Sequence, residues 1–484
     1  MVTRWSHLLT RVDGQITAHY AAYVTALALL TVAWFACIAT MKVHLYVLGV
    51  ASNDLFLYAN ALSNTNFSDR WLFNADFYHS HAMHSLLGDH FQPSTLLLKP
   101  LFELLGGAVF LVLFQGVVAI NLVTCVHLGL RDLGARTASI FLPLLALINP
   151  QVNAAVLDGI YGFHHDSQYL LYGPWMLLFF LRQRYTYFYC VLPLFLGVKE
   201  NAAFYGLAFG LVGALCFESK TERKHALITA GLAVLYFLFA MDIYPHWAGV
   251  KNRHAATGLA LLQQLDVHAL IDVFLHKWLA LFREFNLAVL SPPLLLAPTI
   301  DLFTLVTFGK ASNRYYIFPI VTFLSMAMIP AYAKLRQLPD RARYWRMLWQ
   351  LALLCQILVS AVTTPYELSR AYGRLVKTAL KYQARDARTA LAAVDPGCTV
   401  FVARALLKTF YRLPYLYIAA DARDARYVVV LEKNATQPVR SDARNFIAAS
   451  DALSFELLQH IGNLNVYRNP SAACRPWKDV TTSQ

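Results

Sequence analysis

The chain has 484 residues, of which 58% are hydrophobic and only 14% are charged. Soluble domains average roughly 45–50% apolar and about 25% charged residues, so an ordinary soluble enzyme, a disordered chain and a small disulfide-rich domain are excluded. The formal net charge is +13, but the basic residues lie in short clusters between long apolar segments. That pattern indicates membrane topology and no nucleic-acid partner. The composition therefore predicts an α-helical polytopic membrane protein.

Long apolar segments cover most of the first three quarters of the chain. A membrane-spanning helix needs about 20 apolar residues, and broken helices are tolerated where they are buried in protein or line a wet cavity. About eleven segments fit, although several are short or contain proline. The predicted spans are residues 21–41, 108–129, 139–158, 168–182, 185–198, 201–217, 225–243, 273–291, 293–309, 315–333 and 347–363. The span at 273–291 carries Lys277, Arg283 and Glu284, so it also fits an interfacial or re-entrant helix.

Five basic clusters indicate the orientation, because Lys and Arg are enriched in cytoplasmic loops. The clusters are Arg4 with Arg11, Arg131 with Arg136, Arg182 with Arg184, Lys220 with Arg223 and Lys224, and the group from Lys334 to Arg346. With eleven spans all five fall on one side, so the N-terminus is predicted to be cytoplasmic. The segments predicted to face outward are 42–107, 159–167, 244–272 and 364–484.

The last part of the chain has a different pattern. After Pro365 the apolar runs shorten and alternate with charges, which is typical of a small α/β domain. We therefore divide the chain into a transmembrane domain, residues 1–363, and an extracytoplasmic domain, residues 364–484. Strands are predicted at 398–403, 426–431 and 464–467, and helices near 366–392 and 441–450. Cys398 and Cys474 are the two cysteines of this domain, and an oxidising compartment permits a disulfide between them.

Ionisable residues at the membrane edge are costly to bury and therefore indicate function. Asp54 begins an apolar helix after the first span, so it is a candidate catalytic carboxylate, although Asp also caps helices well. Lys199 and Glu200 lie in a turn between two short spans, where they can pair with each other or contact a phosphate or a sugar. Arg314 and Tyr315, at the outer end of a later span, suit either a phosphate contact or an interfacial belt.

Histidines are concentrated in the predicted outer loops. His79, His81 and His84 lie in the first of these loops, residues 42–107, and further histidines follow in it and in the loop at 159–167. Neutral imidazoles near a carboxylate can bind a divalent metal. The candidate metal ligands are His90, His164, His165 and Asp166. Interfacial hydrogen bonding is the simpler interpretation, because the sequence has no recognisable zinc-binding spacing.

Five motifs in order resemble those of a bacterial polytopic membrane-protein family, the domain-of-unknown-function family two-thousand-and-seventy-nine. Asn53-Asp-Leu with Ala61-Leu-Ser-Asn-Thr resembles its Tyr-Asp-Leu and Gln-Ala-Leu-Trp-Asn-Thr segment. His90-Phe-Gln-Pro resembles the family's His-Phe-Ser-Pro, and Tyr161-Gly-Phe-His-His-Asp resembles its Phe-Asp-Phe-His-Pro-Glu. Lys199-Glu-Asn-Ala resembles its Lys-Glu-Asp-Ala, and residues 394–400 resemble the start of its outer domain.

The sequence departs from the family pattern at several positions. Gly162 replaces the family's Asp and His165 replaces its Pro, so the first carboxylate of that motif has no counterpart here. Asn201 stands where Asp is usual, and Arg314-Tyr315 stands where His-Tyr is usual. These differences are typical of a divergent member.

The resemblance implies a GT-C-like fold, shared with glycosyltransferases that use a polyprenyl-phosphate sugar and an Asp in the first outer loop. Asp54 matches that Asp by position. The implied activity is transfer of a sugar to an unknown envelope acceptor at the outer face of the bacterial inner membrane. Candidate substrate or phosphate contacts are Lys199, Glu200, Arg314, Tyr315, His90 and His164. No cofactor is required by the resemblance, and a divalent metal is the one candidate.

Two other functions fit the same residues. Broken helices and buried ionisable groups also occur in transporters and lipid flippases, but here these groups cluster on one face and no repeated half is visible. An envelope assembly or binding protein is the third hypothesis. For the transferase we expect one shared outward-facing cleft, because separate burial of each charge would need a separate compensation. The residues expected to converge there are Asp54, His90, His164, Lys199, Glu200 and Arg314.

Overall fold

The structure is a computed structural model. It describes residues 11–50, 53–68, 70–74, 85–157, 162–248, 267–284, 286–307, 314–339, 343–377, 384–402, 406–417, 425–431, 455–472 and 474. His79, His81, His84 and the helix predicted near 441–450 lie outside these residues.

Helices form the larger part of the fold. Among the described residues, the helices before residue 217 are α1 (Tyr20–Val47), α2 (Asn53–Ser63), α3 (Lys99–Leu104), α4 (Ala108–Asp132), α5 (Arg136–Leu147), α6 (Pro150–Leu157), α7 (Tyr169–Leu181), α8 (Tyr185–Leu196) and α9 (Ala202–Cys216). Further along the described chain lie α10 (Lys220–Leu238), α11 (Tyr244–Trp247), α12 (Val267–Glu284), α13 (Pro292–Thr307), α14 (Phe318–Gln337) and α15 (Arg343–Lys377). A π-helical turn, Phe239–Ile243, joins α10 to α11.

Helical structure occupies each predicted span, but helix length does not establish their number. Among the described residues five helices are long and apolar enough to cross a membrane alone, or six if the bent pair α5–α6 is one span. The apolar helices α8 and α9 have 12 and 15 residues, fewer than the roughly 20 that a straight crossing needs. The segment predicted at 273–291 is broken, because α12 ends at Glu284 and a 3₁₀ turn follows at Asn286–Leu290. The total of eleven therefore stays a prediction.

Proline accounts for the sharpest break within a span. Helices α5 and α6 meet at 48°. Pro150 begins α6, and the Asn149 side chain accepts a hydrogen bond from the Val152 amide at 2.9 Å. A proline inside a helix removes a backbone donor, whereas at the first position it costs nothing, so the chain restarts a helix there.

Helices α9 and α10 pack closely because small residues line their contact. Gly206, Gly210 and Gly213 recur on one face of α9 and meet Ala233, Ala230 and Ala226 of α10. Small residues let transmembrane helices approach until their backbones touch, and dispersion then replaces the hydrophobic effect as the attraction. A side chain at Gly210 would lie 2.5 Å from the Ala226 carbonyl oxygen and 2.7 Å from the Ala230 nitrogen.

We predict that Gly210→Ala destabilises the folded protein by about 1–3 kcal/mol, because the added methyl meets backbone that cannot move aside. Gly231→Ala on α10 is the matched control, since nothing lies within 4 Å of its added methyl. Alanine is the better helix former, so the control should be neutral or slightly more stable. Thermal unfolding in detergent measures both, and equal midpoints would show that the contact is looser than described.

A five-stranded sheet forms the C-terminal part. Its strands are β1 (Val400–Val402), β2 (Leu416–Tyr417), β3 (Tyr427–Leu431), β4 (Glu456–Ile461) and β5 (Leu464–Arg468), in the spatial order β2-β1-β3-β5-β4. β1 is parallel to β2 and β3, while β5 is antiparallel to β3 and β4. The three predicted strands correspond to β1, β3 and β5. β4 escaped prediction because most of its side chains are exposed, which erases the apolar alternation of a half-buried strand.

The sheet is connected to the helical part through a continuous helix and through hydrogen bonds. Helix α15 runs without a break across the predicted boundary at residue 364 and ends at Lys377, and α16 (Ala384–Ala392) follows. The buried Asn60 amide of α2 donates to the carbonyl oxygens of Tyr411, at 2.8 Å, and Leu413, at 2.7 Å, just after the short helix α17 (Leu407–Phe410). Within the C-terminal domain, Cys398 is disulfide-bonded to Cys474. The two hydrogen bonds of Asn60 hold this domain against α2, the helix that carries Asp54.

Candidate functional site

Helix α2 directs Asp54 and a tyrosine toward the same place. Asp54 lies in the first turn of α2, partly exposed, and Tyr58 follows one turn later. Residues four apart share a helix face, so their side chains are neighbours. Burial and then the charge of Asp54 raise the pKa of Tyr58 well above its ordinary value. The Tyr58 hydroxyl is hydrogen-bonded to His165 Nδ1 and lies 3.2 Å from Gln92 Oε1, to which it donates.

The His-His-Asp motif forms a buried turn beneath α2. Gly162 adopts a φ of 71°, a backbone that favours glycine, which explains why Gly suits the position where the family pattern has Asp. His164 is extended and accepts a hydrogen bond from the Asp166 amide at its Nδ1, 3.2 Å away. Burial lowers the pKa of His164 well below its ordinary value, so the ring is neutral with its proton on Nε2.

Asp166 pairs with the lysine of the next motif. Lys199 Nζ lies 3.8 Å from Asp166 Oδ1, and the two residues are 4% and 1% exposed. Burial alone would lower the pKa of Lys199, but the Asp166 carboxylate raises it above its ordinary value. Burial alone would raise the pKa of Asp166, but Lys199 lowers it below its ordinary range. Both groups are therefore charged, as a buried pair must be to offset its desolvation.

Glu200 pairs with the histidine of the first loop and not with its neighbour Lys199. His90 Nδ1 lies 2.7 Å from Glu200 Oε1, and the Phe91 amide donates to Oε2 at 3.1 Å. Burial would raise the pKa of Glu200, but His90 and Lys199 lower it to about 2. The interpretation of Lys199 and Glu200 as a self-paired hairpin is wrong, because adjacent residues at a turn point toward different partners.

The imidazole rings and charged groups of these motifs lie in one cluster, which comprises His90, His164, His165, Asp166, Lys199 and Glu200. The ring of His165 is 4.4 Å from that of His164 and 5.9 Å from that of His90. Tyr316 completes the cluster, with its ring 5.8 Å from His164 and 4.8 Å from Lys199 Nζ. Its 3₁₀ turn, Arg314–Ile317, packs against the turn His165–Gln168. The side chains of Arg314 and Tyr315 lie outside the described part of the chain.

A buried carboxylate that sequence reasoning missed continues the cluster into the helices. Asp301 of α13 is 1% exposed and accepts hydrogen bonds from Asn201, at 3.0 Å, and from the Tyr205 hydroxyl. Asn201 Oδ1 in turn accepts from the Tyr169 hydroxyl at 2.7 Å. Both the nitrogen and the oxygen of the Asn201 side-chain amide are therefore hydrogen-bonded. A lone Asp within an apolar predicted span was the available signal, since such residues are rare and conspicuous in membrane helices.

The donor atoms of the His-His-Asp turn could hold a divalent cation. The ligand atoms of His164, His165 and Asp166 lie within 4.8 Å of one another. His165 Nε2 and Asp166 Oδ1 are 3.0 Å apart, and neither has a hydrogen-bond partner of good geometry. Lys199 nevertheless already supplies a positive charge to the same Asp166 oxygen. His90, the fourth candidate ligand, is not part of this donor group among the described residues.

Comparison with known proteins identifies the family of this chain and structures of similar fold. A family model described as predicted membrane protein (DUF2079) matches residues 44–407. The chain belongs to this family. No curated protein matches the chain.

Two solved structures of ArnT from Cupriavidus metallidurans are similar to the chain at 13% identity. The apo structure has a TM-score of 0.50 and covers 95% of this chain and 99% of its own. The structure bound to undecaprenyl phosphate has a TM-score of 0.49 and covers 94% and 99%. The apo comparison concerns the fold alone, and at that level the predicted GT-C-like helical architecture with a small C-terminal sheet is confirmed.

We predict that Glu200→Gln flattens the acid side of the stability profile. The pKa of Glu200 is about 2 in the folded protein, against about 4.3 in an unfolded chain. A depressed pKa stabilises the fold above the unfolded value, and this contribution, about 3 kcal/mol, is lost as pH falls from about 5 toward 2. Thermal unfolding of the detergent-solubilised protein between about pH 7 and pH 3 measures the effect.

The control is Glu103→Gln, which removes a carboxylate whose side chain is 46% exposed and which pairs with Lys99. An exposed pair contributes at most about 1 kcal/mol, so the Glu103 variant should keep the wild-type profile. Identical pH profiles for wild type and the Glu200 variant would contradict the pairing with His90.

Proposed function

We propose that the protein is a membrane glycosyltransferase that moves a sugar from a polyprenyl-phosphate donor to an envelope acceptor, at the outer face of the bacterial inner membrane. The observation that carries the proposal is the clustering of the Asp-Leu, His-Phe, His-His-Asp and Lys-Glu motifs at adjacent helix ends of a GT-C-like fold. Three of these motifs, far apart in sequence, share ion pairs there, and Tyr58 of the helix that carries Asp54 is hydrogen-bonded to the same cluster. Such convergence favours one reaction centre over separate interfacial placements.

Asp54 is the proposed catalytic base. Sugar transfer with inversion requires that the acceptor hydroxyl lose its proton while the anomeric carbon gains positive charge. A carboxylate serves both needs, since it accepts the proton and stabilises the developing charge. Asp54 lies in the first turn of α2, where the helix dipole favours its ionised form. Tyr58 fixes the face of α2 that carries Asp54 over the His-His-Asp turn.

The leaving lipid phosphate requires positive charge and hydrogen-bond donors. Lys199 supplies a charge held at the base of the cluster, and neutral His164 offers the proton on its Nε2. His90, held by Glu200, lies beside them and is a second donor. Arg314 and Tyr315 remain proposed phosphate contacts on the strength of the position of their turn. The apolar helices would contain the prenyl chain, and the C-terminal domain would position the acceptor.

We predict that Asp54→Asn abolishes transfer while leaving membrane insertion unchanged. Asn caps a helix about as well as Asp, so loss of activity would separate catalysis from capping. Loss of a general base typically costs about 10²–10⁴-fold in rate. The measurement compares envelope glycans in a deletion strain complemented with wild type, with Asp54→Asn or with Asp272→Asn. Asp272 is the matched control, because its side chain is 71% exposed on α12.

The outcomes separate the candidate functions. Wild-type glycans with Asp54→Asn would remove this residue from catalysis. Glycans that are unchanged even in the deletion strain would argue against a transferase and favour a transporter, a lipid flippase or an assembly protein.

We predict that Cys398 and Cys474 are protected from alkylation in intact cells without reductant, because the C-terminal domain is proposed to lie in the oxidising periplasm. The measurement uses a variant in which the remaining five cysteines are replaced. Cys398→Ser in that background should expose Cys474 to the reagent. Labelling of both cysteines without reductant would place the domain in the cytoplasm.

A further inference from the structure

A second polar feature lies at the opposite ends of the helices from the candidate site. Helix α7 begins at Tyr169, directly after the His-His-Asp turn, and ends at Leu181. Its 13 residues rise about 1.5 Å each, so the helix is about 20 Å long from end to end. A cavity of about 500 Å³ lies at this far end. It is lined by Arg131, Asp132, Arg182 and Arg184.

The lining carries more positive than negative charge. Asp132 is bound by Arg182, with Nε and Nη2 both 2.5 Å from one carboxylate oxygen, and Arg131 lies 3.7 Å from the other oxygen. Among the described residues Arg184 has no ion-pair partner. Three guanidinium groups around one carboxylate leave a net charge of about +2 in the cavity, since arginine stays protonated. Asp132 holds one guanidinium in place, and the others remain able to bind an anion.

The backbone between the arginines is held in an unusual conformation. Gln183 has a φ of 55°, a left-handed backbone in which glycine is usual. The Arg184 amide donates to the Phe179 carbonyl at 2.9 Å, which closes the end of α7 around Gln183. This tight ending places Arg182 and Arg184 on either side of a single residue. Enrichment of cytoplasmic loops in basic residues explains their charge, but not their arrangement around one cavity.

We propose that this cavity binds the phosphate of an anionic phospholipid of the cytoplasmic leaflet. Guanidinium groups bind phosphate with paired hydrogen bonds, and basic pockets between helices on this side of a membrane bind anionic headgroups. Apolar side chains beside the cavity favour a lipid over free phosphate. Leu133 follows Asp132 and is 38% exposed, and Tyr187, one turn after Arg184, is 57% exposed. These surfaces suit acyl chains below a bound headgroup. The inference does not depend on the transferase activity.

The test titrates the purified full-length chain, in neutral detergent, with short-chain phosphatidylglycerol, short-chain phosphatidylcholine and inorganic phosphate. Calorimetry should show saturable binding of phosphatidylglycerol and much weaker binding of the other two. The double variant Arg131→Gln, Arg184→Gln should weaken phosphatidylglycerol binding at least about tenfold, since each basic residue contributes about 1 kcal/mol to binding an anionic lipid. The control Lys224→Gln, Lys334→Gln removes the same charge from exposed positions on this face that do not line the cavity, and should stay within about twofold.

Three results would overturn the proposal. Equal losses in both double variants would mean diffuse attraction to surface charge. Inorganic phosphate that binds as tightly as phosphatidylglycerol would mean a site for a soluble anion. Absence of saturable phosphatidylglycerol binding to wild type would mean no site. If the double variant unfolds, Arg184→Gln alone decides, because Arg184 holds no described ion pair whose loss would destabilise the fold, and its affinity should still fall several-fold.

Discussion

The buried ion pair between Asp166 and Lys199 determines the arrangement of the candidate site. Both side chains lie almost wholly out of solvent, where removal of one partner typically costs about 3–5 kcal/mol. The pair joins the turn before α7 to the turn before α9, so neither helix can shift without separating the charges. Because Lys199 is committed to Asp166, Glu200 is left for His90. The loop that carries His90 is thereby attached to the same helix ends.

The imidazoles of His164 and His165 are neutral chiefly because both rings are buried. Asp166 has its counter-ion in Lys199, and burial lowers the pKa of both His164 and His165. A neutral ring has one donor and one acceptor, and the Nδ1 of His164 accepts from the Asp166 amide. The same nitrogen of His165 is hydrogen-bonded to Tyr58. The turn thus presents the oriented Nε2 donor of His164 without adding charge, which suits the proposed contact with a phosphate.

The sequence predicted the meeting of the motifs but not their pairings. Apolar flanking segments predicted that Asp54, His90 and Lys199 lie at membrane edges, and the cost of burying each charge separately then predicted their convergence. Which cation meets which anion depends on the direction of each turn, so the adjacent Lys199 and Glu200 were open to the wrong assignment. Asp301 was not predicted as a site residue, because the apolar residues around it indicate a membrane span and not a loop at a span end. Strand β4 was missed because its side chains face solvent on both sides.

Accessibility distinguishes the carboxylates of the cluster. Asp166 and Asp301 are each 1% exposed. Asp166 forms an ion pair with Lys199, and Asp301 accepts hydrogen bonds from Asn201 and Tyr205. Glu200 has one oxygen on His90 and the other on the Phe91 amide. A base that meets an acceptor hydroxyl must reach the surface of the cleft, and Asp54 is partly exposed at the start of its helix. The buried carboxylates hold the cations and rings in place, and the partial exposure of Asp54 agrees with its proposed role as the base.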